Sequence, residues 1–380
     1  MRNLLFILLL FTTFGLKAQQ TYSINGIVND DKGQPLPGAT VFLTNTKIAT
    51  SSDVSGHFVL SQLPAGPYEL AVNLLGFEPY VQLVKIENTP LTINIKLKES
   101  SIELNAVVIN GKPDPHRKEY LQLFMDNFIG KSLNAKQCKI VNPEAIRFHN
   151  NKKNNTLEAS ANDLLVIENE ALGYRVKYLL KRFEYNNKYE ACNYVGYPYF
   201  EEMKGTDDQQ KQWKESRMHT YLGSSRHFFR AIMNHTGFEE GFAVYLHKKE
   251  WSHSQIQYQQ FDSLFRTVGD TKKMITKSIT GVKGKDTTRL ELAVFFKSTK
   301  QPAVFYHYGN PGSIPVNSPV GQQSFMHVFA DTIVIDKELL LNPTRELGFS
   351  GHWSYLRAAD LLPLDYTYDA ADEKKNIATN

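Results

Sequence analysis

The chain contains 380 residues, of which 42% are hydrophobic and 22% are charged, and its formal net charge is +4. This composition predicts a folded chain, and its length predicts two or three domains. Because positive and negative charges are nearly balanced and interspersed, we expect no binding to nucleic acid and none to an anionic membrane surface.

Residues 1–18 have the order of a secretory signal peptide. Arg2 is followed by an apolar run from Leu4 to Phe11, and small and polar residues then lead to Ala18. An apolar run of about 8 to 13 residues is too short for a membrane span, which needs about 20. We therefore expect an exported protein of the periplasm or cell envelope that does not span the membrane after cleavage.

Residues 22–109 read as a series of short strands separated by turns. The strand segments alternate in polarity or are β-branched, and the segments between them are rich in Gly, Asp and Pro. Such regular spacing predicts a small antiparallel β-sandwich, with a final strand at 102–109 and a proline-containing linker at 110–115. The other predicted strands are residues 22–29, 39–45, 57–63, 68–74 and 91–98.

Two stretches of this region, "GIVNDDKGQPLPGATVFL" and "TSSDVSGHFVLSQLPAGPYELAVNLLGFEP", resemble the carboxypeptidase regulatory-like domain. The resemblance implies a transthyretin-like β-sandwich, also described as a carbohydrate-binding-like fold. Its glycines and prolines shape turns, and Asp30 and Asp53 can close Asx-type turns. None of the matching residues is a nucleophile or a metal cluster, and no carboxypeptidase catalytic domain is recognisable. The resemblance therefore implies a fold, and the function must be argued from a site.

Residues 116–370 predict a larger α+β domain with a mainly antiparallel sheet, followed by a polar tail at 371–380. Strands predominate on both sides of a long helix that begins with Asp207 or Asp208 as its cap. The other predicted helices are an amphipathic helix at 116–132, with Tyr120, Phe124 and Phe128 four apart on one face, and a short helix at 355–366 that Pro363 ends.

This second region also has a resemblance of its own. The stretches "ALGYRVKYLLKRF", "RMHTYLGSSRHFFRA" and "LNPTRELGFSGHWSYLRAADLLPLDY" resemble the companion region of exported Bacteroidota proteins that are named only for their regulatory-like domain. The resemblance implies an organism class and an architecture. It implies no mechanism.

Cys138 and Cys192 are the only cysteines in the chain. In an oxidising compartment two thiols can pair, and a disulfide between them would add about 4 kcal/mol in the chain-entropy model. The alternative is two separate buried thiols. The sequence leaves both readings open because it does not show whether the two side chains meet.

The sequence contains no complete catalytic motif. His116 and Glu119 have the H-x-x-E spacing of two zinc ligands, but they lie at a predicted solvated helix start without the rest of a zinc set. We find no H-E-x-x-H, paired C-x-x-C, G-x-S-x-G or phosphate-binding glycine motif. We therefore predict that the protein binds no metal and no cofactor. A non-enzymatic protein is favoured over an enzyme.

The densest polar and aromatic cluster is "RMHTYLGSSRHFFR", residues 217–230. Arg226 and Arg230 are four apart on the predicted helix, and with His227 they could hold a carboxylate or an acidic partner group. The alternative is a solvated helix face whose arginine stems cover apolar neighbours. Arg217 falls on the inner face four residues before Tyr221 and would need an acidic partner if buried.

Two further sets of residues permit either a functional or a structural reading. Arg357 and Asp360 are interpreted as a helix-surface pair or a structural lock against the sheet. Four aromatic residues could line a sugar-binding surface by stacking, although nothing distinguishes them from ordinary β-sheet aromatics. These residues are Tyr306, Tyr308, Trp353 and Tyr355.

Together these features predict a non-enzymatic binding protein of the Bacteroidota cell envelope. Its first domain would be an interaction module, and its second would bind an envelope protein or a glycan. One alternative is a hydrolase of peptides or glycans with a site in the second domain. Another is an accessory of outer-membrane transport, which rests on the junction-like stretch "SIELNAVVINGK" at 101–112.

Overall fold

The fold is described from a computed structural model of the chain. Its described residues divide into two compact units. The first contains residues 20–44 and 48–100, the second contains residues 45–47 and those within 114–367, and each is described by itself. No helix among these residues is long and apolar enough to cross a membrane. The described residues are 20–100, 114–237, 239–247, 265–268, 271–275, 290–296, 322–328, 332–336, 341–342 and 347–367.

The first unit is a β-sandwich with seven described strands in two sheets. The strands are β1 (Tyr22–Asn29), β2 (Thr40–Leu43), β3 (Ala49–Ser51), β4 (His57–Leu63), β5 (Gly66–Asn73), β6 (Tyr80–Ile86) and β7 (Leu91–Lys96). One sheet has the order β4-β1-β7 and the other the order β3-β2-β5-β6. Alternate side chains of β1 and β4, including Ile24, Val28, Phe58 and Leu60, are buried in a shared core. The predicted sandwich is confirmed, and its strands alternate because one face of each sheet is buried.

Details of the first unit differ from the sequence prediction. Strands β3 and β6 were not predicted, and β1 pairs with β7 in parallel although every other pair in this unit is antiparallel. Gly26 lies at this parallel contact, where a Cβ atom would be 1.7 Å from the backbone oxygen of Ile93. The predicted strand at 102–109 and most of the predicted linker at 110–115 lie outside the described residues.

The second unit begins with a six-stranded antiparallel sheet. Its strands are β8 (Cys138–Ile140), β9 (Ile146–Asn151), β10 (Thr156–Ala161), β11 (Leu165–Asn169), β12 (Tyr174–Asn186) and β13 (Ala191–Glu202). The long strand β12 pairs with β11 and then β10 along one side and with β13 along the other. The sequence prediction of consecutive strands in this region is confirmed.

A short helix packs on this sheet. Helix α1 (Arg117–Phe124) continues into a π-helical turn at Met125–Ile129 and ends at Gly130, whose φ is +102°. Phe124 and Phe128 are fully buried, and their ring centroids lie 4.7 Å apart. The four-residue spacing of these aromatics therefore did identify the face that packs into the core.

Two helices and two further sheets complete the described part of the second unit. The helices are α2 (Asp207–Tyr221) and α3 (Ser225–Asn234). The strands are β14 (Phe242–His247), β15 (Phe265–Val268), β16 (Thr271–Ile275), β17 (Leu290–Phe296), β18 (Gln322–Val328), β19 (Thr332–Asp336), β20 (Leu341–Asn342) and β21 (Leu347–Gly351). The sheet orders are β14-β17-β18-β21 and β15-β16-β19-β20, both antiparallel. Helix α3 contributes Phe228, Phe229 and Ile232 to the core with the first of these sheets.

The predicted helix at 355–366 is wrong. A four-residue helix, α4 (His352–Tyr355), precedes this stretch, and only a 3-10 turn at Ala358–Asp360 lies within it. Distant residues bond to several carbonyls of this stretch that a helix would use internally; for example, buried Asn169 donates to Ala359 O at 2.8 Å.

Candidate functional site

The cluster at 217–230 lies on two helices rather than one. Thr206 caps α2 and forms a capping box with Gln209, so the predicted caps, Asp207 and Asp208, instead lie in the first turn. Helix α2 ends before Gly223, whose φ of +77° is left-handed and whose missing Cβ would be 2.5 Å from the Phe296 ring. The chain breaks at this position, so Arg226 and Arg230 lie on α3 and not on a continuation of α2.

Arg217, on α2, holds the turn between β11 and β12. Its Nε atom donates to Leu172 O at 2.7 Å and one terminal nitrogen donates to Gly173 O at 3.2 Å. The guanidinium lies 3.9 Å from the ring centroid of Tyr174, and a carboxylate oxygen of Glu202 is 3.8 Å away. Arg217 therefore has the acidic partner that its inner position requires, together with two backbone carbonyls.

Arg226, on α3, holds a segment far along the chain, residues 361–367, which we call the C-terminal segment. One terminal nitrogen donates to Leu362 O at 2.9 Å, and the other donates to Pro363 O. The Nε atom of Arg226 is buried and has no hydrogen-bond partner. Burial and the nearby charge of Arg230 lower the pKa of Arg226 to about 10, so its positive charge is poorly stabilised.

Arg230 bonds to the same C-terminal segment from one turn further along α3. Its Nη1 atom donates to Tyr366 O and to the hydroxyl of Tyr221, each at 3.3 Å. The guanidinium also lies 5.4 Å from the ring centroid of the buried Tyr221. Burial raises the pKa of Tyr221, so its hydroxyl stays protonated. The structure therefore brings Arg226, Arg230 and Tyr221 together around one segment.

His227 follows Arg226 on α3 and is buried, and its ring centroid lies 4.9 Å from that of Tyr221. Its Nδ1 atom accepts a hydrogen bond from the Gly223 amide at 3.0 Å, so its proton is on Nε2, which donates to Glu240 at 2.6 Å. Burial raises the pKa of Glu240, but bonds from His227 and Thr236 outweigh burial and leave that pKa below its ordinary value. Both nitrogens of His227 thus bond to groups of this chain, and the ring packs on Tyr221 beside the two arginines.

The Arg357–Asp360 pair and its surroundings act as a lock within the second unit. One oxygen of Asp360 accepts from Ser132 and Asn134, each at 2.9 Å, and the other accepts from the Arg357 amide at 3.3 Å. Burial raises the pKa of Asp360 although these three donors oppose the rise. The sequence analysis did not single out Ser132, Asn134 or Asn169, because no spacing links residues that are about 200 positions apart.

The two cysteines are free thiols in the structure. They lie on β8 and β13, which are not neighbouring strands, and Cys138 donates to Asn134 O at 3.3 Å. Burial raises the pKa of Cys138 to about 12 and that of Cys192 to about 11. Both groups are therefore protonated near neutral pH and are poor nucleophiles.

The remaining candidates are distributed over separate places. His116 and Glu119 are exposed and bond to each other at 3.1 Å, and no group of three metal-ligating side chains occurs among the described residues. Trp353 is buried and donates to Gly223 O at 2.7 Å, whereas Tyr355 is exposed. Tyr306 and Tyr308 lie outside the described residues.

The polar residues of the first unit's motif close turns. Asp30 accepts from the amides of Lys32 and Gln34 at 2.9 and 2.7 Å. Asp53 accepts from two amides in the same way, and these backbone bonds lower its pKa. Asp30 and Asp53 therefore stabilise turns of the sandwich.

Residues 24–109 match the family model described as the CarboxypepD_reg-like domain, which confirms the domain predicted in this region. No curated protein matches the chain.

Among solved structures, the minor pilin GBS52 of Streptococcus agalactiae is 20% identical with a TM-score of 0.20, over 22% of this chain and 46% of that one. A cohesin–X-dockerin complex of Acetivibrio cellulolyticus is 18% identical with a TM-score of 0.19, over 20% and 58%. A 3-chlorocatechol 1,2-dioxygenase of Rhodococcus opacus 1CP is 12% identical with a TM-score of 0.19, over 22% and 62%. Each match spans less than two thirds of the solved chain.

Proposed function

We propose that this chain is a non-enzymatic binding protein of the Bacteroidota cell envelope. Its carboxypeptidase regulatory-like domain acts as an interaction module, and its second domain binds an envelope protein or glycan. The observation that carries the proposal is the use of the motif carboxylates: Asp30 and Asp53 accept bonds from turn amides and so support the fold of the module.

The chemistry of the second unit supports a binding role over hydrolysis. A hydrolase of this kind needs a nucleophile or a general base with a free lone pair directed at a substrate. The Nδ1 lone pair of the buried His227 accepts the Gly223 amide, and the thiols of Cys138 and Cys192 have raised pKa values. Arg226 and Arg230 are instead donor groups, which are suited to recognition.

The proposed compartment rests on the N-terminal sequence. Residues 1–18 combine an early basic residue, an apolar core and a small residue at the expected cleavage position. An exported chain with an interaction module would meet its partner in the periplasm or at the envelope.

Cross-linked capture from native envelopes tests this proposal. The mature chain, beginning at Gln19, is used as bait. The same chain, kept unfolded, serves as the control. We expect a reproducible partner with the folded bait only. Failure to capture any partner, together with turnover of a peptide or glycan substrate by the same preparation, would replace the binding proposal with the hydrolase.

A further inference from the structure

The two arginines of α3 are bonded to neutral acceptors. Arg226 and Arg230 donate to the carbonyl oxygens of Leu362, Pro363 and Tyr366. Among the described residues, neither guanidinium has a carboxylate within 4.0 Å. Two cations that lie one helical turn apart therefore share a site without a directly bonded anion.

The carboxylates that act on the two arginines do so only at longer range, Asp365 on Arg226 and Glu240 on Arg230. A carboxylate accepts charge-assisted, often bidentate bonds from a guanidinium, and these bonds are roughly twice as strong as bonds to a neutral acceptor. Arg226 also retains a buried Nε donor without a partner. Mutual repulsion and burial disfavour its charged state, and both effects would be relieved by an anion.

The present occupant shows what shape of ligand the site accepts. It is a stretch of peptide backbone that supplies carbonyl oxygens, and its own carboxylate, Asp365, acts on Arg226 from beyond 4.0 Å. The rings of Tyr221 and Tyr366 lie beside the arginines, with centroids 5.7 Å apart. An acidic peptide would supply the same carbonyls and add carboxylates.

We propose that Arg226 and Arg230 form a binding site for the carboxylates of an acidic peptide, which the C-terminal segment occupies until such a peptide displaces it. The inference rests on the proposed binding function and names its partner class. The segment is thus a built-in competitor, and the observed affinity for an acidic peptide is reduced by the fraction of molecules in which the segment is bound.

Fluorescently labelled hexaglutamate, added to the full mature chain at low salt, is the probe, and hexaglutamine of equal length is its neutral counterpart. We expect hexaglutamate to bind and hexaglutamine not to bind. Arg230→Ala should weaken hexaglutamate binding about tenfold, as expected for the loss of one charge-assisted contact. Arg182→Ala, which removes the same charge from an exposed position on β12, should leave binding unchanged.

A second measurement separates displacement from binding elsewhere. Hydrogen exchange of the Leu364 amide, which donates at 2.5 Å to Asn45 O outside the segment, should become faster when hexaglutamate is bound. Binding without this change would overturn the proposal, as would equal binding by Arg230→Ala. Arg226→Lys preserves a positive charge but not the planar guanidinium, and unchanged affinity in that variant would exclude the guanidinium geometry as the basis of recognition.

Competition distinguishes peptide recognition from capture of any anion. Inorganic phosphate is added so that its negative charges equal those of hexaglutamate in concentration. If phosphate then displaces hexaglutamate, the site is not specific for a peptide and the proposal fails. A partner captured from envelopes by a chain that does not bind hexaglutamate would leave the proposed binding function intact and remove only this inference.

Discussion

The motif carboxylates of the first unit and the side chains that hold residues 359–366 in the second unit differ in how far along the chain they reach. In the first unit, Asp30 and Asp53 accept bonds from amides two and four residues ahead, and they close turns. In the second unit, Asn169 reaches residue 359 and Arg226 reaches residues 362 and 363. Local bonds of the first kind produce a recognisable sequence motif, whereas distant bonds of the second kind do not.

Short-range turn geometry and long-range hydrogen bonds also differ in how they determine a fold. Turns in the first unit are set by short-range geometry, so a family model can match residues 24–109 from sequence. The position of the C-terminal segment of the second unit depends on donors from α3, and Ala359, just before the segment, accepts from Asn169 of β11. Substitutions in the two units should therefore have different consequences, and the following predictions take them from the largest expected effect to the smallest.

Gly26→Ala should have the largest effect, because the new Cβ would overlap the backbone oxygen of Ile93 in the neighbouring strand. No side-chain rotation relieves a clash with backbone, so we expect the first unit to lose more than about 3 kcal/mol of stability. Urea titration followed by hydrogen exchange of the β1 amides measures the loss. Gly33→Ala, where φ is +82° and no atom lies within 4 Å of the new Cβ, should cost only about 1 kcal/mol. Equal losses in the two variants would contradict this account.

Asn169→Leu should destabilise the second unit by about 2–4 kcal/mol, because it leaves two buried backbone groups without partners. These are Ala359 O, to which Asn169 donates at 2.8 Å, and the Leu172 amide, from which it accepts at 3.1 Å. All three tryptophans lie beyond residue 200, so tryptophan fluorescence during urea unfolding reports on this unit. Asn187→Ala, at an exposed turn, should change stability by less than about 0.5 kcal/mol.

The sequence predicted the structure well where residues close in sequence decide it. The aromatic spacing of Phe124 and Phe128 identified the buried face of α1, and the alternation of β1 and β4 identified the sandwich. The same reasoning failed at 355–366, where a helical pattern competes with bonds to Asn169 and Arg226. A periodic pattern reports the local preference of the chain and not the tertiary bonds that override it.

The candidate site was predicted in part for the same reason. Helical spacing placed Arg226 and Arg230 beside each other, which the structure also does, but it could not reveal that they bond to residues 362–366. His227 bonds to Glu240, a carboxylate that the helical pattern does not place near it.

Ser52→Ala tests the longer-range side-chain bonds of the first unit. The buried hydroxyl of Ser52 accepts from the Ala39 amide at 2.8 Å and donates to Leu36 O at 2.6 Å. Its removal should cost the first unit about 1–2 kcal/mol, measured by the same urea and hydrogen-exchange experiment. Ser55→Ala, at an exposed turn position, should have almost no effect, and a comparable loss there would show that the bonds of Ser52 are not the cause.

Glu240→Gln should produce the smallest change and the only one that depends strongly on pH. The pKa of Glu240 is lowered in the folded state, so the unfolded chain takes up the proton first, and the stability that Glu240 contributes is lost as the pH falls below about 4.5. Because this carboxylate is about one-third exposed, we expect Glu240→Gln to lose only about 0.5 kcal/mol at pH 7. The difference from the unsubstituted protein should shrink at about pH 3.5, when both are compared by urea unfolding. Exposed Glu239→Gln is the matched control, and a loss in Glu240→Gln that is equal at both pH values would show that the His227–Glu240 bond does not depend on ionisation of the carboxylate.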